Sequence, residues 1–300
     1  MARSVAPPLL QAVTWSASIS VIFQILFLFA FSDIAQYGQL DFADPPYFLS
    51  NGGISVQSGK QVCVNKGDWG KSQGFEKDND FNRKWLSVSR ERLKENGTIW
   101  ISGTYHNIFS VAQMLNELNF RILNCITWAK TNPPPNLSCK FFTHSTEFIL
   151  WARKNKKVPH YFNYDLMKQI NGGTQMRDVW QLPAIGRWEK SCGKHPTQKP
   201  LPLLARIIQA STKENAWILD PFCGNSTTGI AANLLNRRYL GIDQEKDFLN
   251  ISKKRRLEIE DPVVRMDFYT RIRRVTDREL QQILELHEKT PYYGVDLPIR

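Results

Sequence analysis

The sequence predicts an α/β protein with a doubly wound, seven-stranded, mostly parallel sheet. Short β-like runs alternate with amphipathic stretches along most of the chain. Two runs end in turns rich in carboxylate and proline, Asp44-Pro45-Pro46-Tyr47 and Asp220-Pro221-Phe222-Cys223-Gly224. Open sheets of this class hold their ligands at such strand ends. A chain of 300 residues, 42% hydrophobic and 22% charged, suffices for one large domain with inserted loops.

The first β-like run is Gln39–Ala43. Asp80 then caps an expected helix whose apolar positions include Trp85, Val88 and Leu93, and which stops at Asn96-Gly97. A strand follows at Thr98–Ser102, a helix around Val111–Leu118, and strands at Ile122–Trp128 and Glu147–Ala152. The last third alternates a helix over Leu201–Ala210, a strand over Ala216–Asp220, a helix over Thr227–Leu235 and a strand over Arg238–Asp243. A basic helix over Lys246–Glu260 closes the pattern. Two segments lack this rhythm: Asn51–Phe75, rich in Gly, Ser and Lys, and Lys154–Gly193, which mixes aromatic, basic and amide side chains. Long loops inside a compact domain are functional or disordered, and this aromatic content argues against disorder. The organisation expected is an N-terminal segment over 1–38, a catalytic domain over 39–261 and a basic, helix-patterned extension over 262–300.

Lys and Arg outnumber Asp and Glu by 39 to 28, a net charge of +11, with a pI near 9.4. That excess favours a polyanionic partner, since each neutralised phosphate releases condensed counterions. The five cysteines (Cys63, Cys125, Cys139, Cys192, Cys223) contain no C-x-x-C pair, so neither a metal site nor a disulfide framework is expected. Cys125, in an apolar run, reads as core. From Ser4 to Ser32 there is no charged residue. Taken alone, this is a signal-peptide or membrane-anchor pattern, diluted by Ser16, Ser18, Ser20 and Gln24.

Three motifs carry chemistry. In Asp44-Pro45-Pro46-Tyr47 the prolines fix the backbone and offer carbonyls without donors. An adenine amine is a poor nucleophile while its lone pair is delocalised into the ring. A carboxylate and a backbone carbonyl accepting its two hydrogens would localise that lone pair, and Tyr47 can stack on an extruded base. The second motif runs Ile218 to Gly229 through Asp220, Phe222, Gly224, Asn225, Ser226 and Thr227. A small-residue turn before a helix lets backbone amides approach a ligand. About twenty residues on, Asp243 ends the next strand with a carboxylate suited to ribose hydroxyls. The third, Gly193-Lys194-His195-Pro196-Thr197-Gln198-Lys199-Pro200, opens a helix, and its histidine reads as a satisfied surface residue.

Together these motifs resemble the β class of amino-methyltransferases from restriction–modification systems, in which the Asp-Pro-Pro-Tyr block precedes the cofactor loop. The resemblance covers roughly Gln39 to Asp261. It extends to Lys130-Thr131-Asn132-Pro133-Pro134-Pro135-Asn136 and Thr143-His144-Ser145-Thr146-Glu147, which are similar to adenine methylases directed at GATC, GANTC or AAGCTT. It implies a seven-stranded sheet with one antiparallel edge strand. It also implies adenine-N6 methylation at Asp44, Pro45, Pro46 and Tyr47, with S-adenosylmethionine (SAM) as cofactor. SAM would be held by Asp44, Asp220, Phe222, Gly224, Ser226, Thr227 and Asp243, with Thr197 and Lys199 near its methionine end.

Two departures bear on the cofactor. The family's Gly-Ser-Gly stands here as Gly224-Asn225-Ser226, where the Ser226 side chain is expected to narrow the approach. The acidic N-terminal strand of the family is replaced by the uncharged run before Asp33. The competing readings are an N4-cytosine methyltransferase, which more often carries serine at the Asp44 position, and an impaired DNA-binding relative. The expected partner is double-stranded DNA, with single-stranded DNA as a further substrate. A cognate endonuclease acts in the same system without a stable complex, and a homodimer is an option. DNA and SAM place the chemistry in the cytoplasm, with membrane association through 4–32 as the alternative. Target reading is expected in 154–192, helped by Asn51–Phe75. There Lys156, Lys157, Lys168 and Arg187 would hold phosphates, while Asn171, Gln175, Arg177 and Gln181 would read base edges.

Overall fold

A computed structural model describes residues 38–48, 54–57, 60–63, 70–193 and 195–276. The uncharged N-terminal run and the end of the basic extension lie outside the described residues. Nine strands and seven helices are assigned among those described. They are β1 (Gly38–Ala43), β2 (Ile54–Gln57), β3 (Lys60–Cys63), α1 (Phe75–Arg92), β4 (Leu93–Gly103), α2 (Ile108–Glu117), β5 (Arg121–Lys130) and β6 (Thr146–Arg153). Then come α3 (Tyr164–Ile170), β7 (Val179–Leu182), a 3-10 turn (Arg187–Lys190), α4 (Leu201–Ser211), β8 (Trp217–Asp220), α5 (Thr227–Leu234), β9 (Arg238–Gly241), α6 (Lys246–Glu258) and α7 (Pro262–Thr276).

Seven strands form one sheet in the order β7-β5-β6-β4-β1-β8-β9. Every neighbouring pair is parallel except the two made by β6. The antiparallel strand therefore lies third from one end, between β5 and β4, and not at an edge as expected. The edge position is filled by β7, a four-residue strand inside the segment expected to be irregular. β2 and β3 pair as a separate antiparallel ribbon in the other such segment. The placing of β1 matters most for function. It sits between β4 and β8, where the chain's progress across the sheet reverses, and the crevice outside the carboxyl ends of the strands at such a switch point is a ligand site.

Strand alternation builds the two faces. Leu40, Phe42, Trp100, Ile149 and Trp151 point to one side, where α4, α5 and α7 supply Leu204, Ile208, Ile230 and Phe268. Ala43, Ile99, Ile101, Leu150 and Ala152 point to the other, against Trp85 and Leu86 of α1 and Val111 and Leu115 of α2. Trp100 and Trp151 are register partners, and their rings stack at 4.7 Å. The indole N–H of Trp100 reaches Ser211 Oγ at 2.9 Å, anchoring the end of α4 to the sheet.

Several boundaries differ from expectation. α1 starts at Phe75, after Gly74, and ends at Arg92, well before Asn96-Gly97. Asp80 is thus interior, paired with Lys84 at 2.7 Å. Leu93, fully buried, leaves the helix in extended conformation and begins β4. β9 stops at Gly241, two residues early. Cys125 is exposed and not core, since β5 faces Ile126 and Trp128 inward instead. Among the described residues, no helix is long and apolar enough to cross a membrane.

Candidate active site

β1 ends where Pro45 and Pro46 remove the next two ladder donors. The chain then turns so that the Tyr47 hydroxyl donates to Asp44 Oδ1 at 2.6 Å. The same hydroxyl lies 2.8 Å from Ser102 Oγ, at the end of the neighbouring parallel strand. Asp44 Oδ2 accepts from Lys199 Nζ at 2.6 Å. That ammonium also stands 5.1 Å from the centre of the Tyr47 ring and 3.5 Å from Glu147 Oε2. Glu147 Oε1 in turn accepts from Lys130 Nζ at 2.6 Å.

Two carboxylates and two ammoniums thus alternate from β5 to the end of β1. Burial opposes charge on Glu147, but Lys199 and Lys130 outweigh it and hold its carboxyl below the usual range. Burial likewise works against Lys199, and Asp44 and Glu147 keep its ammonium above the usual value. Burial, then Asp44 and Glu147, push the Tyr47 phenol well above its ordinary value, so it stays a neutral donor. Lys199 was expected near the cofactor, and the structure places its ammonium on Asp44. Sequence reasoning missed Ser102, and gave Lys130 and Glu147 no role. The last two bracket the β5–β6 connection, and only the pairing of those strands brings them together.

The second half of the crevice is the loop from Asp220 to Ser226. Gly224 has φ +51, and a Cβ there would lie 2.8 Å from His195 Nε2, so glycine alone fits. His195 therefore supports the loop, with its ring against Phe248 at 4.2 Å. Asp243 Oδ2 accepts the Gly224 N–H at 2.8 Å, and its Oδ1 accepts the Glu245 N–H at 2.8 Å. Burial pushes the Asp243 carboxyl up to about 6 despite these bonds. Asp220 is pushed up to about 7 by burial, eased by the Thr228 hydroxyl and the Phe222 N–H and raised further by Asp44 and Asp243. Beside it Phe222 packs on Trp85 at 5.3 Å and on Phe81 at 6.1 Å, and Phe81 meets Phe48 at 6.0 Å.

Asn225 and Ser226 are buried rather than projecting over the loop. The Asn225 amide donates to Gln198 Oε1, and Arg255 donates to Asn225 O at 2.9 Å and Thr227 Oγ1 at 2.8 Å. Ser226 sits at φ +57, and its amide donates to Cys223 O at 2.7 Å within the turn. The expected narrowing of the approach by the Ser226 side chain is thus not what the structure has.

A sequence model of DNA methylases matches residues 39–254. The chain belongs to the DNA methylase family. This methylase is 58% identical to the type II methyltransferase M2.MboI of Moraxella bovis over 233 residues, 78% of this chain and 85% of that one. It is 62% identical to M2.DpnII of Streptococcus pneumoniae over 221 residues, 73% and 82% of the two chains. Among solved structures it resembles the M1.HpyAVI–SAM complex, with 27% identity and a TM-score of 0.60 over 78% of this chain and 95% of that one. The PvuII cytosine-N4 methyltransferase, at 18% identity and a TM-score of 0.60 over 81% and 89%, shares the fold. The M1.HpyAVI neighbour was solved as a complex with SAM. In the crevice of this methylase, an aromatic wall stands where a purine would lie and the Asp243 carboxylate stands at a strand end where it would meet ribose hydroxyls.

The eight candidate target-reading residues of this methylase do not share one surface. β6 runs from the catalytic edge back to the amino edge, where Arg153 pairs with Thr98. Lys156 and Lys157 follow it, about 17 Å along the strands from the catalytic end of β4. Lys168 is exposed on α3, which packs Met167 and Ile170 on Ala210 at the far end of α4. The Asn171 amide is spent on Thr174 and Gln175 within its own turn. Gln175 and Arg177 are exposed on the approach to β7. Only Gln181, on β7, and Arg187, just beyond it, lie toward the carboxyl edge.

Proposed function

We propose that this methylase transfers the SAM methyl group to N6 of an adenine extruded from double-stranded DNA, at the site of its own restriction–modification system. The observation that carries the choice of base is Asp44. A carboxylate stands at the head of the motif, paired with the Tyr47 hydroxyl at 2.6 Å, where cytosine-N4 relatives more often have serine. The homologous type II methyltransferases support the restriction–modification setting. In that setting the chain acts in the cytoplasm and shields host DNA from a cognate endonuclease without a stable complex.

The chain's own groups would act by position and charge. SAM, when bound, supplies a methyl group on a sulfonium sulfur, already activated for attack. Asp44 and the Pro45 carbonyl accept the two N6 hydrogens and localise the nitrogen lone pair. Asp44 would be placed to take the proton that N6 gives up on methylation. Tyr47 stacks on the extruded base while its hydroxyl, itself in contact with Ser102, holds the Asp44 carboxylate. Asp243 would bind the cofactor's ribose and the loop from Asp220 to Gly224 would line it, the amides of Phe222, Cys223, Gly224 and Ser226 being engaged within the protein. Expression in a host lacking adenine methylation, followed by sequencing of modified bases, tests the assignment. Methylcytosine, or unmodified DNA from a SAM-binding protein, would refute it.

A further inference from the structure

Asp44 is engaged on both oxygens by the protein itself. Oδ1 holds the Tyr47 hydroxyl and Oδ2 holds the Lys199 ammonium, each at 2.6 Å. A carboxylate neutralised by an ammonium at that distance is a weakened acceptor for an amine. Lys199 has a second acceptor within reach. Glu147 Oε2 is buried, makes no hydrogen bond among the described residues and lies 3.5 Å from Lys199 Nζ. Its carboxylate is fixed by Lys130 on the other oxygen. Shortening 3.5 Å to an ordinary hydrogen bond needs a shift of only about 0.7 Å, well within the freedom of a lysine stem.

We propose that Glu147 is a positioning residue that draws the Lys199 ammonium off Asp44 when the adenine amine docks. This rests on the assignment of Asp44 as the acceptor for the amine. The exchange keeps every charge paired: Lys199 passes from one carboxylate to the other, and Asp44 regains full acceptor strength where the amine needs it. Without the Glu147 charge, Lys199 has nowhere else to go in a buried site and stays on Asp44. The titratable and charged groups facing Lys199 are Asp44 and Tyr47 after β1 and Glu147 on β6, with Lys130 on β5 behind Glu147. Asp220, at the end of β8, also senses Asp44.

The test is Glu147→Gln in the full chain, which keeps shape and an acceptor for Lys130. A charged hydrogen bond lost from the reactive arrangement should lower kcat by about tenfold to a hundredfold, with SAM affinity and KM for DNA within about threefold of wild type. A role confined to structure would lower thermal stability or raise KM and leave kcat alone. The pH profile adds a second readout. With one counter-charge gone, burial favours neutral Lys199, and neutral Lys199 releases Asp44. The kcat deficit should therefore shrink between about pH 7 and about pH 9.5, approaching the lysine range. Wild-type kcat, or a deficit constant with pH, overturns the proposal. If Glu147→Gln fails to fold, Glu147→Asp keeps the charge but withdraws it beyond reach of Lys199, and an unchanged kcat there overturns it equally. Wild-type enzyme that does not methylate adenine, or an active Asp44→Ala, refutes instead the function on which this rests.

Discussion

Asp44 is a structural counter-ion to Lys199, and under the proposed function it would also be the catalytic acceptor. Asp44→Ala should lower methyl transfer at least about a hundredfold, as for loss of a charge-organising group at a reacting centre. Its cost in stability should stay below about 3 kcal/mol, because Glu147 remains beside Lys199 and the ammonium is not left as an uncompensated buried charge. Methyl-transfer assays and thermal melts on the same preparation measure both. Asp243 bears on pH. Its folded value of about 6 lies above that of an unfolded aspartate, so the protonated native form is favoured at low pH. The stability it contributes is fully present below about pH 4 and is lost as pH rises through about 6. If Asp243 binds the ribose as proposed, the ionised form is the one needed, so SAM affinity should run the opposite way and fall below about pH 6. Calorimetry at several pH values checks this. An affinity flat from about pH 5 to about pH 8 would take Asp243 out of the cofactor site.

At the scale of elements, the cofactor loop shows how local conformation and side-chain identity can disagree. Ser226 holds φ +57 at the start of α5, a left-handed conformation that costs a non-glycine residue about 1 kcal/mol. Its hydroxyl is buried away from the loop surface. Ser226→Gly should therefore raise stability by about 0.5–1 kcal/mol and leave SAM affinity within about threefold. A large gain in affinity would mean that the side chain does obstruct the cofactor. This loop was legible in the sequence because glycine, proline and carboxylate spacing encode it locally, as they do the turn after β1. Other elements were not legible, for physical reasons. β7 is four residues, Val-Trp-Gln-Leu, too short for an alternation to stand out, and it is a strand only because β5 offers it an edge. α1 begins after a glycine at φ +104 with no side-chain cap on that residue, its start marked only by Glu76 and Asp78 in the first turn, and Asp80 inside it imitates a cap. The Lys130–Glu147 pair exists only once β5 and β6 lie side by side.

For the molecule as a whole, the direction of β6 decides which charges can meet DNA. Under the proposed function a substrate base would reach Asp44 at the carboxyl edge of β1, and the duplex would then lie across that edge. Lys156 and Lys157 follow β6 at the amino edge, where Arg153 donates to the carbonyls of Lys156 and Val158. The neighbouring Asn155 donates to Glu95 at 2.7 Å and Lys154 to Leu93 O at 2.8 Å. These are contacts that close the bottom of the sheet. Arg187 stands exposed just beyond β7, in a turn tied through Glu189 to the backbone N–H of Leu201 at the start of α4, next to Lys199. The net charge of +11 is therefore not evenly useful for DNA binding. Each phosphate contact contributes about one unit to the slope of log affinity against log salt. Arg187→Ala should flatten that slope by about one unit and weaken binding to all sequences alike. Lys156→Ala combined with Lys157→Ala should leave it unchanged, although it removes twice the charge. Titrations of a target duplex at several salt concentrations distinguish the two. If the double lysine variant flattens the slope and the arginine variant does not, the duplex does not lie on the face that the sheet direction assigns to it.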